Sequence, residues 1–100
     1  MFIAILDVST AAAERAAALA QLDRERAEVE TMPGNIAFRV YASRTDDTRV
    51  TVVHEWRDEE SFAGYLRSES FARSGEVLRP LLTEAPVSRR FRAEPVEVAA

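Results

Sequence analysis

The chain has 100 residues, 47% of them hydrophobic and 30% charged, a balance typical of a single globular domain. It has no cysteine and one histidine, His54, which excludes disulfides, thiolate metal sites and any site that needs two histidines from one chain. The net charge of −4 disfavours nucleic acid as a partner. The sequence shows neither a signal peptide nor an apolar run of ~18 residues, so we expect a cytoplasmic protein with no membrane partner.

The first third of the chain predicts a strand followed by a helix. Phe2 to Val8 is almost wholly apolar, which predicts a central strand covered on both faces. Ser9 and Thr10 offer an N-cap for a helix from about Ala11 to Glu30. We expect its buried stripe to contain Ala12, Ala16, Leu19 and Leu22, and its wet face to contain Arg15, Asp23, Arg24, Glu25 and Glu28.

The middle of the chain predicts a β-hairpin. Met32 to Asn35 contains Pro and Gly and should end the first helix. Alternating residues from Ile36 to Ala42 predict a second strand, and the polar stretch Thr45 to Thr48 predicts a turn. The β-branched stretch from Arg49 to Trp56 predicts a third strand.

The last part of the chain predicts two helical stretches followed by a strand. Asp58 should cap a helix over Glu59 to Leu66, and Ser68 should cap a further helical stretch that breaks near Pro80. Val87 to Val98 predicts a final strand, whose charges and Pro95 indicate a sheet edge.

The element order β-α-β-β-α-β predicts an α+β, ferredoxin-like fold, in which two helices cover one face of an antiparallel four-stranded sheet. We expect one domain over residues 1–100, with its core at about 2–98. The uncovered sheet face would carry apolar residues of the first and third strands. An uncovered apolar face predicts a partner, so we expect a homodimer formed through this face.

One stretch places a titratable group beside aromatic rings. Val52, His54 and Trp56 share one face of the third strand, and Phe62 and Tyr65 of the next helix could close the space beside them. That arrangement would form an aromatic slot suited to a flat apolar ligand. Aromatic residues at a sheet–helix corner are more often simply core, and a lone histidine is more often structural than a base.

Other polar residues leave open alternatives. Asp7 is either a pocket carboxylate or a solvated residue at the end of a strand. Arg89, Arg90 and Arg92 form a basic cluster that better fits a solvated face or an intersubunit salt bridge. We find no metal-ligand cluster, phosphate loop or Ser/His/Asp set, and we expect no metal and no cofactor.

The sequence resembles the antibiotic biosynthesis monooxygenase family over about residues 2–98. The resemblance rests on the order and spacing of four segments: Met32–Tyr41, His54–Phe62, Tyr65–Phe71 and Leu78–Leu82. It implies a ferredoxin-like protomer and a homodimer that forms an α/β barrel. The resemblance also implies either oxidation of polyketide phenols and quinols by dioxygen, without metal or flavin, or degradation of haem.

The haem-degrading branch of this family is the poorer match. Its Asn, Trp and His positions resemble Asp7, Tyr65 and Gly75, so all three residues differ. No second histidine is present that could ligate iron. The resemblance therefore argues against haem degradation.

The polyketide-oxidising branch matches at Trp56, whereas its Asn position resembles Val52 and its Tyr position resembles Phe62. Its Arg corresponds to Arg73 or Arg79. Many members of the family have Glu at the position of His54 and His at that of Tyr65.

Our leading hypothesis is a cofactor-independent monooxygenase that oxidises a small phenol or quinol. The alternative is a non-catalytic dimeric domain that binds a small molecule or a partner, which the loss of the Asn at Val52 favours. In the first hypothesis His54 is the base, because its ordinary pKa is near neutrality, and Tyr65 or an arginine stabilises the substrate anion. The predicted substrate-binding residues are Trp56, Phe62, Phe38, Asp7 and Arg79.

Overall fold

The computed structural model describes residues 1–99, which form an antiparallel sheet of four strands with its helices on one face. The strands are β1 (Phe2–Ser9), β2 (Asn35–Ala42), β3 (Arg49–Trp56) and β4 (Val87–Arg92). The helices are α1 (Arg15–Val29), α2 (Glu59–Leu66) and α3 (Glu69–Leu78), with single 3₁₀ turns at Ala12–Glu14 and Arg79–Leu81. The strand order β2-β3-β1-β4 is that of a ferredoxin-like fold, which confirms the predicted α+β class.

The two faces of the sheet differ in burial. Phe2, Ala4 and Val8 of β1 are buried beneath the helices, together with Val50, Val52, His54 and Trp56 of β3. Ala4 pairs with His54 in the register of these two central strands. The opposite face carries Ile3, Ile5 and Val53, which no helix covers and which are half-buried. The expected burial of β1 on both faces therefore holds on one face only within this chain.

The predicted start of the first helix is wrong, and its predicted stripe is confirmed for Leu19 and Leu22 but not for the two alanines. Ser9 ends β1 and its hydroxyl donates to Glu84, while Thr10 bridges Leu82, so neither residue caps α1. The chain instead enters the helix through a 3₁₀ turn with no side-chain cap. Ala12 and Ala16 are exposed, whereas α1 buries Ala18, Gln21, Leu22, Glu25 and Val29. Glu25, predicted on the wet face, is therefore a core residue.

The remaining elements follow the predicted order. Gly34 has φ of +82° and ends the connection after α1 in a conformation that favours glycine. A bulge between Asn35 and Ala37 turns Ile36 out to solvent, against the predicted alternation of β2. β4 lies at the sheet edge as predicted, but it ends at Arg92 rather than Val98, because Arg92 pairs with Phe2, the first residue of its partner strand β1. None of the helices in residues 1–99 is long and apolar enough to span a membrane.

Candidate active site

A cavity of about 370 Å³ lies between the helix-covered face of the sheet and helices α2 and α3. Most of its wall is apolar and includes Leu6, Phe62, Leu66, Phe71 and Leu78. Ligand sites commonly combine such apolar walls with a few polar groups that fix the ligand's orientation. The volume is suited to a small aromatic molecule.

The cavity has a small set of polar groups from different elements. α1 contributes Glu25, β3 contributes His54, α2 contributes Tyr65 and α3 contributes Ser74. The exposed side chains of Arg79 and Arg90 also line it, so two cations stand at its open side. Because β4 pairs Arg90 with Ala4, the arginine projects from the same sheet face as His54.

His54 is held as a neutral ring. Its side chain is 4% exposed, and the indole N–H of Trp56 donates to its Nδ1 at 2.9 Å. A ring that accepts at Nδ1 has its proton on Nε2. Burial, helped by the charge of Arg90, lowers the pKa of His54 to about 4. At neutral pH the ring is therefore a hydrogen-bond donor rather than the base we predicted.

The Nε2–H of His54 is open to the cavity. It has no hydrogen-bond partner within residues 1–99. No fully buried side-chain nitrogen or oxygen of the described chain lacks a partner, so this nitrogen is not fully buried. A ligand oxygen in the cavity can therefore accept from it.

Glu25 forms a buried network with two hydroxyl groups. Tyr65 donates to its Oε2 at 2.7 Å, and Ser74 donates to its Oε1 at 2.8 Å. Burial raises the pKa of Glu25 above its usual range, although both hydrogen bonds oppose the shift. Burial and the neighbouring Glu25 also raise the pKa of Tyr65 strongly, so Tyr65 keeps its proton at any ordinary pH.

Our sequence analysis missed Glu25 because charged residues are usually exposed. A signal was nevertheless present: Ala18, Leu22, Glu25 and Val29 are spaced by four, three and four residues, which places them on one face of a helix. A glutamate within an otherwise apolar stripe marks a buried carboxylate.

Comparison with known proteins places the chain in a family. The family model described as antibiotic biosynthesis monooxygenase matches residues 1–76, which include Glu25, His54, Tyr65 and Ser74. The chain belongs to the antibiotic biosynthesis monooxygenase family. No curated protein matches the sequence significantly.

Solved structures share the fold of this family member at low sequence identity. A Deinococcus radiodurans protein, described as a candidate antibiotic biosynthesis monooxygenase, superposes with a TM-score of 0.91 at 15% identity, with all of both chains covered. Rv0793 from Mycobacterium tuberculosis gives a TM-score of 0.85 at 16% identity, covering 99% of this chain and 98% of that one. A conserved protein of Methanosarcina mazei gives 0.88 at 18%, covering 93% and 92%.

In this antibiotic biosynthesis monooxygenase homologue the predicted site residues fall into three groups: those that line the cavity, those in the core behind it, and one on the opposite face of the sheet. His54, Tyr65, Phe62 and Arg79 line the cavity. Trp56 and Phe38 are buried in the aromatic cluster behind it, where Trp56 stacks on Tyr65 at 5.4 Å and Phe38 lies 5.2 Å from His54 between ring centroids. The aromatic corner is thus both core and cavity wall.

Asp7 lies on the opposite face of the sheet. Its carboxylate accepts from the hydroxyl of Thr51 at 2.7 Å and from Arg89 at 3.3 Å. β1 alternates in direction, so a residue beside Leu6 and Val8 of the cavity wall must point away from it. Asp7 therefore does not line this cavity.

Proposed function

We propose that this protein is a monooxygenase that oxidises a small phenol or quinol with dioxygen and needs no metal or organic cofactor. The observation that carries the proposal is the buried Glu25–Tyr65 pair in a largely apolar cavity that a neutral histidine also lines. Membership in the antibiotic biosynthesis monooxygenase family supports it.

The proposed chemistry belongs mainly to the substrate. Once its hydroxyl is deprotonated, an electron-rich phenol can pass an electron to dioxygen, and the two radicals combine at a ring carbon. For a CH₂ group conjugated with the phenol, one oxygen atom becomes the new carbonyl and the other leaves as water. The protein has to bind the ring, exclude water and remove the hydroxyl proton.

The cavity residues suit these tasks. The rings of Phe62 and Phe71 and the side chain of Leu66 offer an apolar surface to the substrate ring. The Nε2–H of His54 donates to the developing phenolate, and the guanidinium of Arg90, 5.0 Å from the centroid of Phe62, favours its negative charge. In this proposal His54 stabilises the anion and Tyr65 receives the hydroxyl proton.

We also propose that two copies associate through the uncovered sheet face. Ile3, Ile5, Val53 and Phe91 lie on this face. Its charged residues are already paired within the chain, Arg39 with Glu55 at 2.6 Å and Arg89 with Asp7 at 3.3 Å. A partner would therefore meet apolar side chains together with charges that are already paired.

Oxygen uptake with anthrones and quinols tests the proposed activity, and two glycines provide a matched pair of variants. Gly75 lines the cavity, and a Cβ added there would meet only the flexible side chain of Arg79, at 3.7 Å. Gly64 lies on α2 outside the cavity, and its added Cβ would meet nothing within 4 Å.

We expect Gly75→Leu to lower kcat/KM at least tenfold by occupying ligand space, and Gly64→Leu to leave it unchanged. We expect both variants to fold, because replacing a glycine within a helix gains roughly 0.5–1 kcal/mol and the added Cβ meets no backbone at either position. Oxygen uptake no faster than the blank for the wild-type protein would contradict the proposed activity.

A non-catalytic binding domain is the second candidate function. The observation that favours it is that Nδ1 of His54 and both oxygens of Glu25 are engaged by protein hydrogen bonds. Thermal-shift measurements with aromatic ligands under air and under nitrogen separate the two: saturable binding with no product under air would support this candidate.

A further inference from the structure

Glu25 is a buried carboxylate without a cation beside it. Its side chain belongs to α1, is 4% exposed and faces the cavity. Within residues 1–99 no arginine nitrogen lies within 4 Å of its oxygens, although the same helix pairs Arg26 with Asp23 and Glu30. Among the residues that the structure describes, its only donors are the hydroxyls of Tyr65 and Ser74.

This arrangement is costly if its only role is structural. A buried ionised carboxylate is normally compensated by a paired charge, and two neutral hydroxyl donors compensate it incompletely. A glutamine at this position could accept one of these hydrogen bonds at its oxygen and donate its amide N–H to the other hydroxyl, without the charge. The sequence instead has a carboxyl group here, and burial raises its pKa.

We propose that Glu25 accepts the hydroxyl proton of the bound phenol through Tyr65. The inference rests on the proposed function and assigns the proton acceptor in it. The substrate O–H donates its proton to the oxygen of Tyr65, and Tyr65 passes its own proton to Oε2 of Glu25, 2.7 Å away. The products are a substrate phenolate, a tyrosine that is neutral again and a protonated Glu25.

The electrostatics of the two residues agree with this relay. Tyr65 has a strongly raised pKa, so it cannot serve as a stable anion, whereas in a relay it only exchanges one proton for another. Burial raises the pKa of Glu25, which makes its carboxylate a stronger base. His54 has its Nδ1 occupied by Trp56 and cannot take this role in the observed arrangement.

The pH at which Glu25 is protonated is influenced by the charged and titratable groups of the elements around it. Glu28 on α1 raises its pKa, and the groups that share the cavity with it are Tyr65 of α2, His54 of β3, Arg90 of β4 and Arg79 after α3. Of these, Tyr65 and His54 stay neutral at pH 7, because burial raises the pKa of the first and lowers that of the second. The titration of Glu25 should therefore appear as a single acid limb in the pH profile.

The first test compares steady-state oxygen uptake for Glu25→Gln, Tyr65→Phe and the control Glu28→Gln. Glu28 lies one turn along α1 and outside the cavity, where it accepts from Ser70 and Arg73. We expect the first two variants to lose about 100-fold or more in kcat, the usual contribution of acid–base catalysis, with KM changed less than threefold. The acid limb of the kcat profile should disappear in Glu25→Gln and persist in Glu28→Gln, moved to lower pH because the Glu28 charge that raises the pKa of Glu25 is removed.

The second test does not require turnover. Under nitrogen, 4-nitrophenol is added to each protein, and infrared difference spectra are recorded in the region of the protonated carboxyl. We expect a new protonated-carboxyl band in the wild-type protein and in Glu28→Gln, and none in Glu25→Gln. Weak or absent transfer in Tyr65→Phe would support the relay.

The outcomes separate the two proposals. A wild-type protein that shows the carboxyl band but no oxygen uptake contradicts the proposed activity and leaves Glu25 as the acceptor. Absence of the band in the wild type, its persistence in Glu25→Gln, or an unchanged kcat profile in Glu25→Gln overturns the inference about Glu25.

Discussion

At the scale of single residues, burial shifts the pKa values of two cavity side chains, His54 and Glu25, in opposite directions. His54 is buried as a neutral ring and its pKa falls, whereas Glu25 is buried as an acid and its pKa rises. In both cases burial disfavours the charged form. The cavity therefore favours uncharged protein groups, which suits a site where charge is to develop on the ligand.

The lowered pKa of His54 predicts a loss of stability in acid. The native pKa is about 4 and the unfolded value about 6.5, so as pH falls through this window the unfolded chain takes up the proton first. The contribution of His54 to the free energy of unfolding should be fully present above pH ~6.5 and fall by about 3 kcal/mol by pH ~4.

Urea unfolding of the wild type and of His54→Gln at pH 7 and pH 4 measures this effect. The amide oxygen of glutamine can still accept from Trp56 but does not titrate. Carboxyl titrations, including the opposite contribution of Glu25, are common to both proteins and cancel in the difference. An equal acid loss in both proteins would show that His54 does not supply it.

Residue identity alone predicted part of the site. The parity of β3 correctly placed His54 and Trp56 on one face, but β1 is apolar at both parities, so the face of Asp7 could not be assigned from its neighbours. Glu25 was assigned to solvent because its burial depends on Tyr65 and Ser74, which are 40 and 49 residues away in sequence.

At the scale of secondary-structure elements, the sequence correctly predicted the bounds of those elements whose local signals were strong. β3 and α2 have the predicted limits, since β-branched residues fill the strand and Asp58 accepts from the backbone N–H of Ser61 at the start of the helix. The start of α1 was wrong because Ser9 and Thr10 are bound to residues 82–84 instead. Long-range contacts there override the local capping preference.

The cap of α3 provides a test at this scale, because the helix carries part of the cavity wall. The hydroxyl of Ser68 accepts from the backbone N–H of Phe71 at 3.2 Å. We expect Ser68→Ala to lower the free energy of unfolding by about 1 kcal/mol, and Ser68→Asp, which retains a capping oxygen, to lose much less. Chemical denaturation measures both, and equal losses would indicate that the cap contributes nothing.

At the scale of the whole molecule, the sheet has one face covered by helices and one face open. An open face limits burial further in a chain of this size, because a domain of this length buries only about 60–65% of its unfolded surface. Half-buried Ile5 lies on the open face between Val53 and Arg89 of the neighbouring strands. A second copy packed on this face would bury apolar residues that a single chain leaves half-buried.

The proposed homodimer predicts that Ile5→Glu yields a monomer. A carboxylate at the centre of the face would have to be desolvated on association, and the neighbouring Arg89 is already paired with Asp7. Val77→Glu is the matched control, since Val77 is 44% exposed on α3, away from the open face and the cavity. Sedimentation equilibrium should give a dimer mass for the wild type and for Val77→Glu; a monomeric wild type would contradict the proposal.

The strand order also has a consequence for the order in which the two halves of the chain could be joined. β1 and β4 are neighbours, and the amino group of Met1 donates to the carbonyl of Ala93 at 2.7 Å. The exposed hairpin at residues 43–48 lies at the other end of the sheet. A circularly permuted chain, opened in that hairpin and joined by a linker from beyond Ala93 to Met1, retains every strand pair. The covalent order of the two halves is thus independent of the geometry that forms the cavity.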